Sequence, residues 1–217
     1  MSSKIFSAAA FLKSAKAADF IARHPSGNGL LNMAGAYDYL EAPYYVSQDH
    51  ELEGRTVHPT CREILDAYVT PLLLEKAKLA GVPTPEFYIT NGYFEPPVVI
   101  DPINPFMSRS RTVMKHGREE SIARSMTRNF TYAICCQDIP PGGQVRRFRS
   151  VLGWSSSPRF RSISRIVWEL FHIPLATVRV IVTAEAGILL SDVSQLELTK
   201  LTEQELTHLD GRIKWGI

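Results

Sequence analysis

Two short segments carry side chains suited to holding an anion. In the first, residues 104–111, two arginines alternate with serine, so on a strand both guanidinium groups would share one face and could grip a phosphate or carboxylate. In the second, residues 140–149, a Pro-Pro-Gly-Gly turn would let backbone amides approach an anion, and three arginines follow it. The predicted anion-binding set is Arg109, Arg111, Lys115, Gly142, Gly143, Arg146 and Arg147.

Structural roles also fit both segments. The arginines of the first segment would equally form ion pairs with acidic flanks of the chain. The second would equally be a rigid hairpin turn followed by the solvated edge of a strand. No side chain is assigned a catalytic role.

Both segments belong to a strongly basic region, residues 103–165. This region holds twelve of the 24 lysines and arginines but three of the 22 acidic residues, a net charge of +9 against −7 elsewhere. Unbalanced charge of this kind indicates a phosphate-bearing ligand, a nucleic acid or an acidic protein surface as the partner. Aromatic residues interleaved with the arginines could stack on bases, but they fit core positions of strands as well.

Familiar catalytic signatures are absent. The sequence contains no G-x-x-x-x-G-K-[ST] loop, no G-x-G-x-x-G, no H-E-x-x-H and no G-x-S-x-G. The six histidines are scattered and the three cysteines, Cys61, Cys135 and Cys136, form no ligand pattern, so we expect no metal site. Adjacent cysteines on a strand face opposite ways, which disfavours a disulfide and favours a reducing, cytoplasmic location.

Local signals predict alternating helices and strands. Thr60 with Glu63, and Thr202 with Glu205, form capping-box sequences that start helices, and Pro71 should divide the first helical stretch at Thr70. Helices are predicted at 118–126 and 163–171, and strands at 86–90, 97–101, 129–136, 144–153 and 177–183. The pattern indicates an α/β or α+β protein with a mixed sheet flanked by helices.

Residues 1–24 form an N-terminal amphipathic segment, which we distinguish from a single α/β domain over 25–217. Their lysines, serines and alanines resemble a mitochondrial targeting segment, which would place the protein in the matrix, but an ordinary amphipathic helix is the favoured interpretation. No apolar run is long enough to span a bilayer.

Several stretches of the sequence resemble a known protein family. Leu30-Leu-Asn-Met33, Glu53-Gly-Arg-Thr-Val-His-Pro59 and Leu152-Gly-Trp-Ser-Ser-Ser-Pro-Arg-Phe-Arg161 resemble the N-terminal domain of RimK-like ATP-grasp proteins. Leu79 to Pro85, Pro97 to Pro102 and Ala133 to Ile139 are similar to parts of the ATP-grasp fold itself. The resemblance implies a partial ATP-grasp-like architecture, with a subdomain at 79–153, and ATP as a possible cofactor.

Two departures from the family pattern bear on catalysis. In the family a lysine before the proline of the second stretch contacts the ATP phosphates, and here that position is Asp101. The E-x-N sequence that helps to hold Mg²⁺ is not found after Gly153.

We therefore expect a non-catalytic or incomplete RimK-like protein that binds an anionic or nucleotide-like ligand, or serves as an accessory or assembly subunit beside a protein partner or in a homo-oligomer. Two alternatives stay open. One is an ATP-dependent carboxylate-amine ligase completed by oligomerisation or a partner, and the other is a nucleic-acid-binding or assembly component that uses residues 103–165.

Overall fold

The structure is a computed structural model that describes residues 20–23, 29–104, 107 and 109–215. Six α-helices occur in this part of the chain: α1 Ala42–Leu52, α2 Cys61–Tyr68, α3 Thr70–Leu79, α4 Glu119–Met126, α5 Arg161–Phe171 and α6 Glu203–Asp210. Its strands are β1 Ile21–Arg23, β2 Leu30–Asn32, β3 Val57–His58, β4 Phe87–Thr90, β5 Val98–Pro102, β6 Arg111–Val113, β7 Ile134–Asp138, β8 Gln144–Val151, β9 Leu175–Val182, β10 Ile188–Gln195 and β11 Lys214–Trp215. The mixture of helices and sheets confirms the predicted α/β or α+β class.

The chain divides into two compact units. Unit 1 comprises Met1–Tyr68, Arg147–Val178 and Val193–Ile217, and unit 2 comprises Val69–Arg146 and Arg179–Asp192. The predicted subdomain at 79–153 overlaps unit 2 over most of its length. Unit 2 also draws on a second, later stretch of the chain.

Unit 1 contains a four-stranded sheet in the order β11-β1-β2-β3, in which only the β2–β3 pair is parallel. One core cluster joins this sheet to α6 and other elements and consists of Ala22, Leu31, Met33, Val151, Leu175, Leu196, Leu198, Leu209 and Ile213. Ile21–Arg23 is thus a strand inside the fold, so the amphipathic helix expected over residues 1–24 does not extend through these three residues. The rest of that predicted segment, residues 1–19 and 24, lies outside the described residues.

Unit 2 is built on an antiparallel sheet in the order β4-β7-β5-β6. The two central strands, β5 and β7, are buried almost throughout, whereas the edge strands are largely exposed. Its core cluster brings the sheet against α4 and consists of Phe94, Val98, Ile100, Val113, Ala123, Met126, Ile134 and Cys136. A third sheet has the order β10-β9-β8, and three of the four boundaries between the units fall within its strands, while the fourth lies between Tyr68 and Val69.

The predicted helix signals act as expected. The Glu63 amide donates to the Thr60 hydroxyl at 3.1 Å while the Glu63 carboxylate accepts from the Thr60 amide at 2.7 Å, and Thr202 with Glu205 repeats the pattern. Pro71 lies in the first turn of α3, after the break that was predicted at Thr70. This helix ends at Leu79, and the chain turns at Gly81 with φ of +73°, where the amides of Gly81 and Val82 donate to the carbonyls of Lys78 and Ala77.

One predicted strand begins later than expected, and one strand of the structure was missed. The strand expected over 129–136 begins only at Ile134, because Arg128, Asn129 and Phe130 all adopt left-handed backbone conformations and their neighbours fold back onto the end of α4. Strand β10 was not predicted, although it is eight residues long. None of the helices in the described part of the chain has the length and apolar character needed to cross a bilayer.

Candidate functional site

The register of the unit 2 sheet brings part of the predicted anion-binding set to one end. Both β6 and β7 run antiparallel to β5, and Val113 and Asp138, at their carboxyl ends, both pair with Val98. Lys115 follows β6 and the Pro-Pro-Gly-Gly turn follows β7, so both leave the sheet at the same end. Two strand spacings, about 10 Å, separate β6 from β7 there.

The glycine turn is a type II turn. The Gly143 amide donates to the Pro140 carbonyl at 2.8 Å, Pro141 occupies the second position, and Gly142 has a φ of +69°. The Gly143 amide is therefore engaged within the turn, whereas Gly142 faces open space. The turn joins β7 and β8, which belong to different sheets, so the alternative hairpin interpretation does not hold.

The predicted arginines are exposed but do not form one group. Arg109 precedes β6, whereas Lys115 follows it, so the length of the strand separates them; Arg111 lies between them, opposite Ile100. Arg146 donates to the Gln144 side chain at 2.6 Å. Arg147 is its neighbour on β8, so the two side chains point to opposite faces of that strand.

Asp101, which occupies the position where the resemblance implies a lysine, lies in a buried polar network of unit 2. Arg179 donates to both carboxylate oxygens of Asp101, from Nη1 at 2.8 Å and from Nη2 at 2.6 Å. Gln137 donates to the same carboxylate at 2.7 Å, and Ser191 accepts from Arg179 Nε at 2.9 Å while donating to Gln137 at 2.8 Å. The side chains of Arg179 and Asp101 are 1% and 6% exposed, so the two charges neutralise each other inside the core.

The electrostatics of Arg179 fit this geometry. Burial alone lowers the pKa of its guanidinium, but the carboxylates of Asp192 and Asp101 outweigh that effect and raise the pKa above its ordinary value. A bidentate pair supported by further hydrogen bonds, here from Nε and Nη2 of Arg179 to Ser191, is the arrangement in which a buried ion pair persists. Asp101 therefore acts here as the partner of a buried cation.

A second polar cluster lies in unit 1 and was not predicted. His58 and His172 each approach the Glu63 carboxylate through Nδ1, at 2.9 Å and 2.8 Å, and their rings lie 4.6 Å apart between centroids. Burial on its own raises the pKa of Glu63, but hydrogen bonds from His172, His58 and the Thr60 amide lower it well below its usual range. Among the described residues, this is the group of His, Cys, Asp and Glu side chains whose geometry could hold a metal ion.

One part of this cluster has a sequence signal. His58 lies two residues before the Thr60–Glu63 capping box, so a contact between His58 and Glu63 is locally predictable. His172 follows α5 and reaches Glu63 only through the tertiary fold. The expectation that the scattered histidines form no cluster overlooked this long-range contact.

Solved structures resemble this fold over most of its length, although no protein-family model and no curated protein sequence matches the chain. A RimK domain ATP-grasp protein from Sphaerobacter thermophilus aligns with a TM-score of 0.61 and 16% identity, covering 83% of this chain and 76% of its own. The D-alanine-D-alanine ligase from Coxiella burnetii aligns with a TM-score of 0.56 and 10% identity, covering 83% of this chain and 63% of that enzyme.

The D-alanine-D-alanine ligase from Bacillus anthracis, solved with ATP, aligns with a TM-score of 0.53 and 10% identity, covering 76% of this chain and 68% of its own. At such low identity the likeness establishes the architecture alone. It confirms, at the level of fold, the predicted resemblance to RimK-like ATP-grasp proteins: this chain has an ATP-grasp fold.

Proposed function

We propose that this chain is a non-catalytic or incomplete ATP-grasp protein that binds a nucleotide or another phosphate-bearing ligand and acts as an accessory subunit. The ATP-grasp fold supports a nucleotide ligand, since a ligase with this fold was solved with ATP. The observation that carries the non-catalytic part is the buried pair between Asp101 and Arg179.

The pair bears on nucleotide binding through the charge at the position of Asp101. The family resemblance assigns the position of Asp101 to a lysine that contacts the ATP phosphates. A lysine there would present a cation, whereas Asp101 presents a carboxylate that two donors of Arg179 hold inside the core. This position therefore supplies no positive charge to a phosphate, and the polar groups around it serve the stability of unit 2.

Lys115 and the Gly142 turn are the best candidates for phosphate contact, because both follow strands that end at the same end of the unit 2 sheet. Lys115 is exposed, and Gly142 is exposed with no atom within 4 Å of the position that a Cβ would take. Arg146 follows the turn and is exposed as well. Arg109 and Arg111 form a separate basic group before and along β6, which suits a more extended anion or a protein partner.

Calorimetric titration of the full chain with ATP and with ADP, each with and without Mg²⁺, tests the proposal. We expect both nucleotides to bind with affinities that depend little on Mg²⁺, and we expect no phosphate release. Mg²⁺-dependent phosphate release that rises with an added carboxylate and amine would instead establish the alternative, an active ligase. Failure of both nucleotides to bind would remove the nucleotide ligand.

A matched pair of lysine variants tests the location. Lys115→Ala removes one charge-assisted contact, and nucleotide affinity should fall about 10- to 100-fold as a result. Lys78→Ala, on the exposed face of α3 in the same unit, removes an equal charge and should leave the affinity unchanged. Equal affinities of the two variants would exclude Lys115 from the site.

A further inference from the structure

We propose that His58, Glu63 and His172 bind a divalent transition-metal ion, with Zn²⁺ as the ion for testing. The three residues belong to unit 1, so this site is independent of the nucleotide site proposed in unit 2. Two imidazoles and one carboxylate are a donor set that Zn²⁺ uses in proteins, with the fourth position left to water or a ligand.

The distances come close to those of a bound ion. One donor atom from each of the three side chains lies within 4.8 Å of the others. Ligand bonds of about 2.0–2.1 Å in a tetrahedral site place donor atoms about 3.3 Å apart. The carboxylate-to-nitrogen distances of 2.8 and 2.9 Å must therefore open by roughly half an ångström as an ion replaces the protons now shared between these atoms.

The surroundings hold the three donors in position before any ion arrives. The Thr60 amide donates to Glu63 Oε2 at 2.7 Å, and the Thr60 hydroxyl anchors the Glu63 amide, so the carboxylate is fixed at the start of α2. The edge of the Trp168 ring packs against His172, with centroids 5.8 Å apart and planes at 80°. Such supporting contacts are what orients metal-binding side chains in proteins.

The backbone of His172 is a separate observation that points to a role for its imidazole. His172 ends α5 with φ of +49° and ψ of +30°, the left-handed conformation that glycine normally provides at helix ends. A histidine there carries a steric cost that glycine avoids. The cost is offset if the imidazole is needed beside Glu63 and His58.

The three side chains are partly exposed, which would let an ion enter and leave the site. The side chains of Glu63, His58 and His172 are 15%, 23% and 39% exposed, so the carboxylate is sheltered while one imidazole reaches solvent. The His116–Glu119 pair of unit 2 has a similar distance of 2.9 Å but is more open at the histidine, 63% exposed, and among the described residues it belongs to no three-residue group that could hold a metal ion. It is therefore a natural control.

The test is calorimetric titration of the full chain with Zn²⁺, together with the visible absorption of bound Co²⁺. We expect one saturable site in the wild-type protein and a Co²⁺ spectrum typical of tetrahedral nitrogen and oxygen ligands. His172→Asn should weaken binding at least about 100-fold, since loss of a ligand exceeds the effect of losing a supporting contact. Asparagine tolerates the left-handed backbone, so this variant should keep the fold, and circular dichroism checks it.

Control variants separate this site from incidental binding. His116→Gln should leave Zn²⁺ affinity unchanged, and Cys61→Ser excludes the thiol on α2 as the ligand. The proposal is overturned if wild-type protein shows no saturable site. It is equally overturned if His172→Asn and His58→Gln bind Zn²⁺ as tightly as the wild type, or if Cys61→Ser alone abolishes binding.

Discussion

Removal of Arg179 while Asp101 remains is the sharpest test of the buried network in unit 2. Arg179→Met keeps a long, unbranched side chain but deletes every donor, including the two that reach Asp101 at 2.8 and 2.6 Å. The carboxylate would then be buried with Gln137 as its remaining partner among those described. An ion pair broken on one side in a core costs about 3–5 kcal/mol, so we expect a loss of that size.

The double variant decides whether this loss arises from the pair itself. Asp101→Leu combined with Arg179→Met removes both charges and leaves apolar groups in their place. Such exchanges are often close to neutral, so we expect the double variant to recover most of the stability that either single change loses. Single losses of about 3–5 kcal/mol each and a loss of about 1 kcal/mol in the double variant correspond to a coupling energy of roughly 5 kcal/mol or more.

Urea unfolding followed by circular dichroism measures these differences. With a slope of about 2–3 kcal/mol/M, a loss of about 4 kcal/mol lowers the midpoint by roughly 1 to 2 M. Tryptophan fluorescence alone would not suffice, since all three tryptophans, Trp154, Trp168 and Trp215, lie in unit 1. Labelling of the buried thiols Cys135 and Cys136 reports on unit 2 instead.

Arg124→Met is the matched control for the same chemical change at the surface. Arg124 pairs with Glu120 at 2.8 Å, and its guanidinium lies over the Phe130 ring, 5.5 Å from the centroid. Because the side chains of the pair are 57% and 78% exposed, loss of both contacts should cost about 1 kcal/mol or less. If Arg179→Met proves no more harmful than Arg124→Met, or if the double variant is no better than the single ones, the network does not stabilise unit 2 as argued.

Two further predictions concern the thiols and the glycines. Burial raises the pKa of Cys61 to about 11 and that of Cys136 to about 12, and it raises the pKa of Cys135 as well. At pH 8 a thiol reagent should therefore label the folded protein slowly and at Cys61 only, whereas all three thiols should react in urea. Rapid labelling of a second thiol in the native protein would contradict the burial of β7. Gly35→Ala should lower the free energy of unfolding in urea by several kcal/mol, because the new methyl group would collide with the Leu196 carbonyl. Gly54→Ala is the control, since Gly54 has a similar positive φ but lies in open space, and it should cost about 1–2 kcal/mol. Equal losses in the two variants would show that the collision is relieved.

The parts of the fold that were predictable from the sequence are those stabilised within a few residues. The capping boxes at Thr60 and Thr202 and the break before Pro71 depend on contacts between neighbours in the chain, so their residue types reveal them. The left-handed run from Arg128 to Phe130 was missed because none of its residues is a glycine, although the end of α4 enforces that conformation.

The candidate sites were predictable only in part, because their chemistry depends on distant partners. Arg179 reaches Asp101 across 78 residues of sequence, so the sequence could identify an unusual aspartate but not its neutralised charge. His172 reaches Glu63 in the same long-range manner. The sequence singles out Lys115 and the Gly142 turn as candidates for anion contact, which stays a prediction, and only the strand register shows which of the basic residues share one end of a sheet.

The division of the chain into units has a consequence for how unit 2 can be isolated. Its two stretches, Val69–Arg146 and Arg179–Asp192, are interrupted by a segment of unit 1. A fragment cut at the borders expected from sequence, 79–153, would contain Asp101 and Gln137 but would leave out Arg179 and Ser191. Such a fragment would retain a carboxylate without its counter-charge, so unit 2 must be produced by joining its two stretches, never by trimming the chain at its ends.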